Sequence, residues 1–68
     1  MPQDQVIYSQ LHVLVVEDEA HTRTIIKAML RQLGVRKISE AANGLEGLIK
    51  LTEDPPHVVL CDVHMRPV

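Results

Sequence analysis

Three short, almost unbroken apolar runs alternate along this chain with two stretches of helical period. The first run, Leu11 to Val16, reads L-H-V-L-V-V. A β-branched run this short is the pattern of a parallel strand buried on both faces. It stops abruptly at Glu17-Asp18-Glu19. From Ala20 to Leu33 the apolar positions Ile25, Ile26, Met29, Leu30 and Leu33 recur at spacings of three and four, which predicts an amphipathic helix. Arg23, Lys27 and Arg31, also four apart, take the opposite side. Gly34 fits the left-handed position that ends helices. The three acids lie near the helix N-terminus, where the helix dipole favours negative charge.

Val35 to Ala41 (V-R-K-I-S-E-A) alternates only partly, as an edge strand does. Asn43 followed three residues on by Glu46 predicts a capping box, and Leu45, Leu48, Ile49 and Leu51 supply a short apolar stripe behind it. Asp54-Pro55-Pro56 ends this second helix, because proline cannot continue it and disfavours helical backbone before it. Val58 to Cys61 is a third apolar run, ending in Asp62, and residues 63–68 read as a loop. Residues 1–10 are polar and aperiodic and read as a flexible leader, so 11–68 carries the fold. The order β-α-β-α-β makes the strands parallel and starts a doubly wound α/β sheet.

Composition narrows the classes. With 68 residues there is at most one domain. A chain this small buries only about 60% of its unfolded surface and is marginally stable. Tyr8 is the only aromatic residue, so the core must be aliphatic. Cys61 is the only cysteine, which excludes an internal disulfide, and the four histidines are scattered without zinc-ligand spacing. The net charge of −2 with mixed signs leaves no basic stripe for nucleic acid. Aromatic platforms for stacking single-stranded bases are also missing. The first residues hold no positive segment followed by an apolar run, so no signal peptide is expected there; no apolar run is long enough to span a membrane, and the expected location is the cytoplasm.

The chemistry gathers at strand ends. Ligands of open parallel sheets bind beyond the carboxyl ends of the strands. If the first and third strands are neighbours, Glu17, Asp18 and Asp62 converge on one sheet edge. Three carboxylates repel one another, and a hard divalent cation relieves this; Mg²⁺ suits a few carboxylates with remaining waters. Mg²⁺ beside an exposed carboxylate suits phosphoryl transfer, and the carboxylate can itself be the nucleophile. The plainer reading of acids at strand ends is helix capping and loop solvation, and it fits Glu19, in the first helical turn, best. Cys61, adjacent to Asp62 but pointing the other way in a strand, reads as a small core residue.

Three segments carry a family resemblance. V-L-V-V-E-D-E with a following helix that contains Arg23, A-A-N-G-L-E-G-L, and P-H-V-V-L-C-D-V-H-M stand in the order and spacing of receiver domains of response regulators. Together they cover nearly everything from Leu11 to Pro67. The resemblance implies a flavodoxin-like doubly wound parallel sheet, of which this chain holds the first three strands and first two helices. It implies that Asp62 is the phosphoacceptor and that Asp18 is the direct Mg²⁺ ligand. Glu17 would act through metal-bound water, and Asp62 and the backbone carbonyl of His64 would complete the metal set. It implies a sensor histidine kinase or phosphotransfer protein as partner, with the first helix, Arg23 to Arg31, in the docking surface.

Two departures qualify the match. Arg66 intervenes between Met65 and Pro67, where the family has proline directly after the methionine. The family also continues beyond this point with a Ser or Thr and a Lys that engage the phosphoryl group. Two other functions compete. One is a receiver-like interaction module that is not phosphorylated. The other is a Mg²⁺-dependent phosphatase with an aspartate nucleophile, which needs a second acid two residues after Asp62, where His64 stands. The third strand is expected to present an open apolar edge that invites self-association, and the first helix to leave part of its stripe uncovered.

Overall fold

The computed structural model describes residues 7–61. A single 3-10 turn at Tyr8–Gln10 leads into β1 (His12–Val16), followed by α1 (Ala20–Leu33), β2 (Lys37–Ala41), α2 (Gly44–Glu53) and β3 (Val58–Cys61). The three strands form one parallel sheet in the order β2-β1-β3. The predicted element order and the flavodoxin-like α/β class are therefore the observed ones, shortened to three strands and two helices. Both helices and β3 keep the expected limits. Leu11 stays outside β1, and Val35 and Arg36 precede β2.

Strand alternation divides the core into two layers. Val13 and Val15 of β1 pack with Leu30 and Val35, and Leu11, Ile26 and Ile38 close around them on the α1 face. Leu14 and Val16 point to the other face, where they meet Ala41. There α2 comes so close that a Cβ added at Gly47 would lie 2.9 Å from Val16 Cγ2. All five residues of β1 are buried, as its apolar run predicts for a central strand. Even His12 is covered, with its Nε2 2.7 Å from Ser39 Oγ.

The helix ends follow local chemistry. Gly34 adopts φ 106°, and its N–H and that of Val35 donate to the carbonyls of Arg31 and Leu30 at 3.0 Å. This is a Schellman ending, sealed by contact between Val35 and Leu30. At the start of α2, Asn43 Oδ1 accepts from the Glu46 N–H at 2.8 Å, and Glu46 Oε1 accepts from the Ala42 N–H at 2.9 Å. The capping box is thus present, reaching back one residue further than its simplest form.

β3 behaves differently from β1 although both are continuous apolar runs. All four of its residues are exposed. Among the described strands it pairs on one side only, and α2 leaves a groove of about 190 Å³ over Val59 and Cys61. Cys61 is exposed, which corrects its reading as a core residue: it faces α2, but that helix covers the β1 half of the face and not the β3 half. The first helix leaves Ile25, Met29 and Leu33 about half exposed, as expected.

Candidate functional site at the carboxyl end of the sheet

β1 delivers Glu17 and Asp18 to the carboxyl edge of the sheet. The Glu17 N–H extends the ladder by donating to the Ala41 carbonyl at 3.0 Å, so the chain leaves the strand only after Glu17. Glu17 is 2% exposed, and its Oε2 accepts the Glu19 N–H at 3.0 Å. The carboxylate is thus folded onto its own loop and fixes the turn into α1. Asp18, one residue on, is exposed. Glu19 is the N-cap residue of α1, but its side chain makes no capping bond and instead accepts from the Thr22 hydroxyl. Its expected place in the first helical turn shifts by one position.

A network of opposite charges fastens this loop from below. Arg23 Nη1 donates to the Glu17 carbonyl at 2.7 Å, and Arg23 Nε donates to Glu40 Oε1 at 3.1 Å. Lys27 Nζ donates to the other oxygen of Glu40 at 2.6 Å. These bonds, from Lys27 first and Arg23 second, hold the Glu40 carboxyl below its ordinary range against partial desolvation. A shallow polar cleft of about 230 Å³ opens beside the network, between Arg23, Glu40 and the start of α2.

Arg23 and Lys27 therefore do not stand on a free polar face. They lean over β2, with side chains 19% and 25% exposed. The sequence held a signal for this: Ile38 and Glu40 alternate onto the α1 side of β2, and the basic row of α1 has a matching four-residue spacing. Reading that row against the strands, and not as helix surface alone, finds the pairing.

The strand leading to Asp62 lies directly beside the strand leading to Glu17. Val16 pairs with Cys61 in a parallel register, so the residues following the pair are Glu17 and Asp62. Asp62 and His64 themselves lie outside the described residues. Among the described residues no group of three His, Cys, Asp or Glu side chains is arranged to hold a metal ion. Nor is any helix among them long and apolar enough to cross a membrane.

Comparison with known proteins adds a second, independent line. The family model described as response regulator receiver domain matches residues 13–68. A probable chemotaxis protein CheY of Rhizobium etli is 36% identical over 59 residues, 87% of this chain and 46% of that protein. The transcriptional regulatory protein ZraR of Klebsiella oxytoca is 43% identical over 56 residues, 82% of this chain and 12% of its own length. A protein-glutamate methylesterase/protein-glutamine glutaminase of Myxococcus xanthus is 41% identical over 56 residues, 81% of this chain and 16% of its own. The chain thus spans less than half the length of these relatives. No solved structure matches.

Proposed function

Since the chain belongs to the response regulator receiver domain family, we propose that it is the phosphoacceptor module of a two-component phosphorelay. A histidine kinase or phosphotransfer protein is the donor and the Asp62 carboxylate the acceptor. One carboxylate oxygen forms the new P–O bond as the P–N bond to the donor imidazole breaks. The module is the substrate and switch of this transfer and has no separate substrate of its own. Relatives named for chemotaxis, transcription and methylesterase activity share this segment, which is what a module common to different outputs predicts. A cytoplasmic location follows from that role.

The observation that carries the reading is the parallel pairing of β1 with β3 in the register Val16 to Cys61. It brings the strand ends before Glu17-Asp18 and before Asp62 side by side. The donors present fit Mg²⁺, which takes hard oxygen ligands and keeps several waters. Asp18 is exposed at the sheet edge and is the direct ligand. Glu17, buried and already bonded to the loop, acts through metal-bound water. Asp62 and the His64 carbonyl complete the set. When bound, the cation neutralises charge on the transferring phosphoryl group; the chain's own acids hold it and present the Asp62 oxygen.

Incubation with phosphoramidate and Mg²⁺ tests the reading by intact-protein mass. The wild-type chain is expected to gain one phosphoryl group only with Mg²⁺, and Asp62→Asn none. Equal labelling of both, or none of a wild-type chain that circular dichroism shows to be folded, would leave the unphosphorylated interaction module as the better account.

A further inference from the structure

The geometry points to Arg23 as the positioning residue of the acid loop: it locks the Glu17–Asp18 peptide in place from the far side of the sheet edge. Its guanidinium makes two directed bonds at once, Nη1 to the Glu17 carbonyl at 2.7 Å and Nε to Glu40 Oε1 at 3.1 Å. The first bond fixes the peptide that joins the two metal-binding acids. The second fixes the guanidinium, and Glu40 is itself held by Lys27 at 2.6 Å. The chain of contacts therefore runs Lys27–Glu40–Arg23–Glu17 carbonyl and ties α1, β2 and the end of β1 together.

Only arginine does this. A planar fork can engage two acceptors in fixed directions, whereas a lysine ammonium at the end of its stem reaches one of them as a point charge. The Glu17 carbonyl has left the sheet ladder, and Arg23 supplies the partner that strand geometry would otherwise give it. Glu17 and Asp18 flank the same peptide, so a rotation there re-aims both carboxylates. Arg23 acts on the two acids through the backbone, by its bond to the Glu17 carbonyl. Outer partners of metal ligands commonly alter metal affinity by about 10–100-fold when removed.

The inference rests on the proposed Mg²⁺ site and is separable from it. Mg²⁺ is titrated into wild-type, Arg23→Lys and Lys27→Met chains, read by the amide shifts of Asp18 and Glu19. Amide exchange at these two positions is measured without metal, and urea denaturation gives each stability. Lys27→Met removes the closer partner of Glu40, at 2.6 Å against 3.1 Å for Arg23, but leaves the bond to Glu17 in place. Arg23→Lys is expected to bind Mg²⁺ about tenfold more weakly and to exchange the Asp18 and Glu19 amides faster. Lys27→Met is expected to bind as wild type does, even if it is the less stable of the two. Weakening by both variants in step with their stability would make the network merely structural and overturn the inference. So would an Arg23→Lys chain with wild-type affinity and exchange. A folded wild-type chain that shows no Mg²⁺ response overturns the metal site itself, and the role of Arg23 with it.

Discussion

Replacing Gly47 by alanine opposes two effects that the structure allows to be weighed. Gly47 is buried inside α2, in ordinary helical backbone. Helix propensity alone would favour alanine by about 1 kcal/mol. The new methyl, however, would stand 2.9 Å from Val16 Cγ2, 3.6 Å from Val16 Cγ1 and 3.9 Å from Ala41 Cβ. Carbon atoms prefer about 3.5–4.0 Å, and overpacking of this kind costs about 1–3 kcal/mol. Val16 cannot easily yield, because its strand is buried throughout and paired on both sides. The net expectation is a loss of about 1 kcal/mol.

Gly44 supplies the internal comparison. It opens the same helix, and nothing lies within 4 Å of an added Cβ. Gly44→Ala is therefore expected to gain about 0.5 kcal/mol, mainly by restricting the unfolded chain. Urea denaturation at unchanged m-value should place the two midpoints about 1 M apart or more. Val16→Ala, which deletes both contacting methyls, should offset part of the Gly47→Ala loss, with a coupling of about 0.5–3 kcal/mol. Equal midpoints for the two glycine variants, or strict additivity with Val16→Ala, would refute the close-approach argument. The result bears on function because Val16 directly precedes Glu17, so pressure on Val16 reaches the acid loop.

Two further outcomes follow from charge and from the sheet edge. The Glu40 carboxyl is held below its ordinary value of 4.5 by Lys27 and Arg23, so its contribution is fully present above that pH and is lost as pH falls through the lowered folded value; thermal unfolding from neutral pH down to pH about 3 should show this acid-side loss, and Glu40→Gln should lack it. β3 presents Val58, Val59 and Leu60 between 38% and 44% exposed, so sedimentation velocity should show wild-type association rising with concentration and Leu60→Lys reducing it; a wild-type chain that stays monomeric at all concentrations would remove that edge as an association site.

Much of this fold could be read from local signals because those signals act locally. Gly34 ends α1, Asn43 and Glu46 start α2, and Pro55-Pro56 bar its continuation; each works within a few residues of sequence. The two apolar runs of β1 and β3 were alike in sequence and opposite in burial, because burial depends on what lies across the sheet and not on the run itself. Cys61 was misread for that reason. The Arg23–Glu40 pair joins residues 17 apart in the chain, and only the strand order β2-β1-β3, with the Arg23 side chain reaching from α1 over β2, brings them together. Of the candidate site, Glu17 and Asp18 stand at the sheet edge as the acid cluster suggested. The division between them, one buried and bonded and the other exposed, comes from the turn into α1 and not from residue type.

The same asymmetry bears on how such a site is held. Local opening is easiest where few apolar contacts are buried and hardest in the core. β1 is buried along its whole length, and its exit is fastened by the ladder bond of the Glu17 N–H, by the Glu17 side chain on Glu19, and by Arg23 on the Glu17 carbonyl. β3 is exposed along its length and, among the described strands, pairs with β1 alone, with His57 adding two bonds at its start: its N–H donates to the His12 carbonyl at 2.8 Å, and its Nδ1 accepts the His12 N–H at 2.9 Å. The acids after β1 therefore sit on the best-held strand of the sheet, and the proposed acceptor follows the least-held one. In such an arrangement the acids proposed to bind the cation are held in place by the core, and anything that covers β3 would steady the strand that leads to the proposed acceptor. Burial of the four side chains on β3 would stabilise that strand and, through the Val16–Cys61 register, bring the two strand ends of the proposed site under one constraint.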